Sequence, residues 1–149
     1  MLAGHFALII AAAFFGAALY INVAEQPARL GLDDRALLAE WHRAYRRGFA
    51  MQGPLALLGC LLALLAWWQS FDWPWILGAL LLVANGPYTL WAIKPINDAL
   101  AAENASDNPS RSRGLIERWG RLHAVRTALG GVATLLFLWA ALARTFHCI

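Results

Sequence analysis

Residues 49–93 read FAMQGPLALLGCLLALLAWWQSFDWPWILGALLLVANGPYTLWAI, and Asp72 is the sole Asp, Glu, Lys or Arg among them. A hydrocarbon core of roughly 30 Å needs about 20 apolar residues at about 1.5 Å rise each, so this stretch is two crossings joined at 69–72. Backbone groups in lipid have no water to pair with, and spanning strands need a closed barrel with alternating polarity. No alternation is visible here, so both crossings are helices. Working outward, 6–24 and 127–143 are equally free of Asp, Glu, Lys and Arg; the four runs hold 19, 20, 21 and 17 residues in chain order. The fold class is all-α: a membrane-spanning four-helix bundle, one integral membrane domain over 1–149, with spans near 5–26, 47–68, 73–94 and 122–144.

Composition agrees. The chain is 60% apolar and 14% charged, whereas a soluble domain carries about 25% charged residues. Lipid explains that deviation; a disordered or nucleic-acid-binding chain would deviate the other way. Membrane lipid and a hydrophobic small molecule are the expected partners, nucleic acid is not, and oligomeric state is left open. The first span has no basic n-region and is longer than the roughly 7 to 15 apolar residues of a signal peptide, so it counts as a span. Cys60 and Cys148 form neither a disulfide framework nor a metal spacing, which leaves their redox state open.

The basic residues gather in the two hydrophilic segments, 25–48 and 94–126, while the 69–72 turn has none. By the positive-inside rule both segments are expected in the cytoplasm, folded over the cytoplasmic end of the bundle, with both termini on the other side. Arg144 is the lone exception. The expected location is a bacterial inner membrane. Trp67, Trp68, Trp73 and Trp75 around the short turn read as an interfacial belt. Gly4, Gly16, Gly59, Gly78, Gly130 and Gly131 allow close helix contact.

Polar and aromatic residues crowd the basic end of all four helices. Asn22, Glu25, Gln26 and Arg29 fall at offsets of 0, 3, 4 and 7, one helical face, where Glu25 and Arg29 can pair. Trp41, Tyr45, Gly48 and Gln52 share a face of a helix expected to start near Asp33 or Asp34. Asn85, Tyr88 and Trp91 are spaced likewise, followed by Pro95, Asn97 and Asp98, and Pro87 is expected to kink that helix. Trp119, His123 and Arg126 approach the last span in line. A guanidinium inside an apolar run needs a carboxylate, a carbonyl or a polar cavity; Glu25 is the expected partner of Arg126. Four helices pointing polar groups at one level indicate a cavity. Residues 26–30 echo 96–100, and Trp41 with Tyr45 echoes Trp119 with His123, which suggests a parallel repeat of helix pairs whose hydrophilic segments cover the cavity.

The strings at 20–30, 95–100 and 119–127 together resemble a family of small four-span membrane proteins that includes the fungal anthrone oxygenases. The resemblance covers nearly the whole chain. It implies oxidation of a tricyclic aromatic ketone with an acidic methylene to the quinone, using O₂ and no metal or flavin. Such chemistry needs a base for a carbon-bound proton, groups that hold the enolate, and flat walls. His123, with an ordinary pKa of about 6.5, is the candidate base. Arg126 would stabilise the anion and Asn97 donate a further hydrogen bond. Trp41, Tyr45, Trp91 and Trp119 would stack on the rings, with Tyr88, Glu25 and Asn22 also contacting the ligand. No cofactor is expected; the metal alternative is Glu25, His42 and His123. The alternative function is a non-catalytic membrane module that binds a lipid, quinone or hydrophobic metabolite, or a small subunit of a complex.

Overall fold

The computed structural model describes residues 1–103 and 109–146; Cys148 and the side chain of Arg144 lie outside the described residues. Asp33 opens the second rod as an N-cap, its side chain accepting from the backbone N–H of Arg35 and Ala36 at 3.1 and 3.0 Å, with Asp34 in the first turn. The four rods are α1 (Leu2–Tyr20) leading through one π turn (Ile21–Glu25) into α2 (Gln26–Leu30), α3 (Asp34–Ser70), α4 (Trp73–Tyr88) leading through a π turn (Thr89–Ile93) into α5 (Lys94–Ala102), and α6 (Pro109–Phe146). All four are long and apolar enough to cross a membrane, as an integral membrane protein requires. The hydrophilic segments are largely helix: α2 and the start of α3, then α5 and the start of α6.

The short turn is made by Phe71, whose left-handed backbone (φ 57°) ends α3 while its N–H bonds the Trp67 carbonyl at 2.6 Å. Trp68 and Trp73 are exposed there, as a belt requires. Trp75 is a correction: it is buried and stacked on Phe137, ring centroids 5.3 Å apart, because the first turn of α4 aims it inward. Beside it, a Cβ on Gly78 would lie 2.2 Å from the Phe137 ring, so the α4–α6 contact depends on the missing side chain.

Each π turn stands just before a proline, Pro27 or Pro95. Proline lacks an N–H, and its ring clashes with the carbonyl four residues back; one added residue in that turn moves the carbonyl away. The offset from Ile21–Glu25 to Thr89–Ile93 equals that from Pro27 to Pro95, so the first rods of the internal repeat are related by 68 residues, two fewer than the pairing of 26–30 with 96–100, while Trp41 and Trp119 on the second rods stand 78 apart. An extra residue also turns everything downstream by about 100°. That rotation brings Arg29 of α2 and Asn97 of α5 to the bundle interior.

The order around the bundle is α1, α3, α4, α6, with α3 and α6 also touching across the middle. Two hydrophobic clusters form the interior. One is rich in alanine and includes Phe14, Ala63, Trp75, Leu82 and Phe137; the other, at the Arg-rich end, holds Leu37, Trp41, Ile93, Leu100, Ile116 and Trp119. Arg113 ties the turn after α2 to α6, donating to Asp34 at 2.6 Å and to the Leu30 and Leu32 carbonyls at 2.8 and 2.6 Å. Between the clusters lies a layer of buried polar side chains.

Candidate functional site

That layer surrounds a narrow cavity of about 20 Å³, lined by residues that include Glu25, Arg29, Tyr45, Gln52, Asn97, Trp119, His123 and Arg126. All four rods contribute. Roomier grooves adjoin it on both sides of α3: one of about 370 Å³ against α1 and one of about 330 Å³ against α4.

His123 is 1% exposed and stacks on Trp119, one helical turn earlier, with centroids 4.9 Å apart. Its Nδ1 lies 2.9 Å from Asn22 Oδ1. The Asn22 amide has one possible orientation, since Nδ2 donates to the Gly120 carbonyl at 2.9 Å and a carbonyl only accepts. Thr127 Oγ1 donates to the same Oδ1 at 2.6 Å. Facing an acceptor, Nδ1 therefore carries the proton, and Nε2 is left with the lone pair. The arrangement repeats across the bundle: Tyr45 stacks on Trp41, also one turn earlier, with centroids 4.9 Å and ring planes 3° apart. Asn97 Nδ2 donates to the Tyr45 hydroxyl at 3.0 Å, which leaves that hydroxyl its own proton to donate.

Of the two charge pairings read from the spacing, the structure makes one, Glu25 with Arg29, and not the other, Glu25 with Arg126. Glu25 pairs with Arg29, one turn away, and Arg29 Nε also lies 2.7 Å from Glu40, its guanidinium 5.6 Å from the centre of the Trp119 ring. Arg126 does not pair with Glu25, and among the described residues it makes no ion pair. Its guanidinium stands 5.8 Å over the Phe14 ring, and its Nε is buried without a hydrogen-bond partner. Gln52 is the residue the spacing argument placed on the right face without assigning it a role. It is 1% exposed, lines the cavity, and has neither amide atom bonded; Asn97 Oδ1 is unbonded too. Unpaired buried polar atoms each cost about 1 to 3 kcal/mol. With Trp119 Nε1, also unbonded, Gln52 Nε2 and Arg126 Nε are open donors and Gln52 Oε1 and Asn97 Oδ1 open acceptors on residues around one space.

Of the other expected ligand contacts, Trp91 is 83% exposed; the π turn at 89–93 breaks the 3.6-residue phase linking it to Asn85, and its ring points away from the bundle. Trp41 is buried behind Tyr45 and Trp119, supporting the wall rather than forming it. Tyr88 donates to the Leu122 carbonyl at 3.1 Å and stands outside the cavity lining, as does Asn22, which acts on the ring of His123. His42 packs edge-on against Trp41, centroids 5.4 Å apart. Among the described residues no three His, Cys, Asp or Glu come together to hold a metal, so Glu25, His42 and His123 are not assembled as ligands. Cys60 is buried and free.

Residues 41–136 match the family model described as anthrone oxygenase. No curated protein and no solved structure matches the chain. The matched stretch runs from Trp41 through Tyr45, Gln52, Asn97 and Trp119 to His123 and Arg126, the greater part of the cavity wall. The family match covers well over half of the sequence: this four-helix membrane protein belongs to the anthrone oxygenase family.

Proposed function

We propose that the chain is a membrane-embedded, cofactor-free oxygenase that converts the acidic methylene of a hydrophobic aromatic ketone to a carbonyl with O₂, its Arg-rich end in the cytoplasm. The observation that carries this reading is the pairing of a base with an open cation: an imidazole whose Nδ1–H is tied to Asn22, beside a guanidinium that pairs with no carboxylate among the described residues. His123 Nε2 takes the methylene proton. The electron pair moves into the ring ketone, whose enolate oxygen is held by Arg126 and the Tyr45 hydroxyl. The enolate carbon adds O₂, the two being redox partners, and the peroxide takes the proton back from the imidazolium. His123 then removes the remaining hydrogen on that carbon as a proton, the O–O bond breaks to form the carbonyl, and the departing hydroxide leaves as water with the same proton. One O₂ is consumed per carbonyl formed.

Oxygen consumption by the purified chain with anthrone tests this. Both His123→Ala and Arg126→Ala are expected to lower the rate about 100-fold or more above the uncatalysed background. Undiminished rates in both variants overturn the mechanism. Tight binding of 9,10-anthraquinone without any O₂ uptake on anthrone replaces it with the non-catalytic reading, which the open Gln52 amide also supports.

A further inference from the structure

The cavity between His123 and Arg126 is narrow, so a ring system that reacts there has to keep most of its body elsewhere. The groove between α3 and α4 has room for it. At about 330 Å³ it falls in the range of small-molecule sites, roughly 300 to 1,000 Å³, and it shares Phe49, Thr89 and Arg126 with the cavity. Its walls are apolar side chains such as Leu57 and Val83, both exposed on the lipid-facing surface. Its floor is bare: added Cβ atoms on Gly53 and Gly86 would meet nothing within 4 Å.

One polar group in this groove has no structural use for its free atom. Asn85 is 2% exposed, and its Nδ2 donates to the Leu81 and Leu82 carbonyls at 3.1 and 3.2 Å. Two carbonyls fix the amide orientation, so the unbonded atom is Oδ1, an acceptor buried in the groove wall without a partner. Thr89 turns its hydroxyl to the Asn85 carbonyl at 2.6 Å and does not satisfy it. Arg126 Nε is a donor without a partner on the same surface. An acyl chain answers neither. A flat polycyclic ring bearing a hydroxyl and a carbonyl answers both.

We infer that the α3–α4 groove is a lateral binding site, entered from the lipid, for the body of a hydroxylated polycyclic aromatic, with Asn85 Oδ1 accepting from a ring hydroxyl while the reacting edge passes Phe49 to reach His123. The inference rests on the proposed oxygenase reading for its reacting edge and on the groove alone for binding. The test uses the full chain in phosphatidylcholine nanodiscs, with tryptophan quenching by 2,6-dihydroxyanthraquinone and by unsubstituted 9,10-anthraquinone. The wild-type chain binds the hydroxylated probe about tenfold more tightly. Asn85→Leu erases that preference. Gly53→Leu and Gly86→Leu, whose Cβ atoms would meet nothing within 4 Å and whose side chains would extend into the groove, weaken both probes about tenfold, while Gly16→Leu, on α1 with an equally open Cβ position, changes neither. Equal effects of Gly16→Leu and Gly86→Leu, or a preference that survives Asn85→Leu, overturn the groove. If these binding results hold and anthrone draws no O₂, the oxygenase reading fails and the site stands; if anthrone is oxidised and Gly86→Leu leaves kcat/KM unchanged, the reverse is true.

Discussion

At the scale of single residues, the site is defined by hydrogen bonds that are made and by others that are withheld. In the proposed reaction Asn22 would act through His123: it makes the Nδ1–H tautomer the one that fits, and Thr127 holds its oxygen in place. Asn22→Leu is therefore expected to lower kcat about tenfold or more with little change in KM, and nitrogen NMR of His123 should show the single tautomer replaced by a mixture; an unchanged ring spectrum would remove Asn22 from the mechanism. Gln52 works in the opposite sense. Its unbonded amide burdens the ligand-free fold, so Gln52→Leu, similar in volume, should raise the melting temperature of the free chain and shrink the further rise caused by 9,10-anthraquinone. A lower melting temperature would mean the amide is structurally satisfied. The residue types at this level were legible from spacing, since imidazole, guanidinium and amide within an apolar run need a polar environment. Their pairing was not: both Arg29 and Arg126 were within reach of Glu25 by spacing alone, and the carboxylate of Glu40 from the next rod decides the matter for Arg29.

The element that decides which residues meet is the π turn. Without the extra residue in Thr89–Ile93, α5 would be turned by about 100° and Asn97 would leave Tyr45 for another face. Deleting Trp91, exposed on the outer surface and outside the linings of the cavity and the groove, is expected to keep the helical circular dichroism while abolishing anthrone oxidation and anthraquinone binding; full activity in the deletion would show that α5 is not held by its phase. A helical periodicity read straight through this turn puts Trp91 beside Asn85, which is why the sequence alone assigned it to the site. The available signal was the matched pair Pro27 and Pro95, each needing relief from a carbonyl one turn back. Helix contacts are of a different kind: Gly4, Gly59, Gly78, Gly130 and Gly131 stand against side chains of neighbouring helices as expected, and Gly16 is the correction, facing open space. Gly78 sits against Phe137 with no room for a methyl group, so Gly78→Ala should destabilise the bundle by about 1 to 3 kcal/mol, read as a fall in thermal midpoint in detergent, whereas Gly16→Ala should not.

The whole molecule is two copies of a hairpin, α1 to α3 and α4 to α6, each with a π turn before a proline on its first rod and a stacked aromatic pair on its second, Trp41 with Tyr45 and Trp119 with His123. The copies face one another across the cavity and differ in what they present to it: Tyr45 stands where His123 stands, Gly48 where Arg126 stands. Because lipid permits only helices or closed barrels, the architecture could be read from four apolar runs, while the cavity required knowing how the two copies interlock. The same arrangement places the site at the Arg-rich end, so membrane orientation decides which compartment it opens toward. In the proposed orientation that end faces the cytoplasm, as the positive-inside rule would have it for segments 25–48 and 94–126, which carry Lys and Arg while the 69–72 turn carries none. With Cys60 and Cys148 replaced by alanine, Gln69→Cys should react with a membrane-impermeant maleimide on intact cells, and Ala102→Cys only after permeabilisation; the opposite pattern would reverse the orientation and put the reaction on the outer side, with the groove and its ligand still reached from within the bilayer.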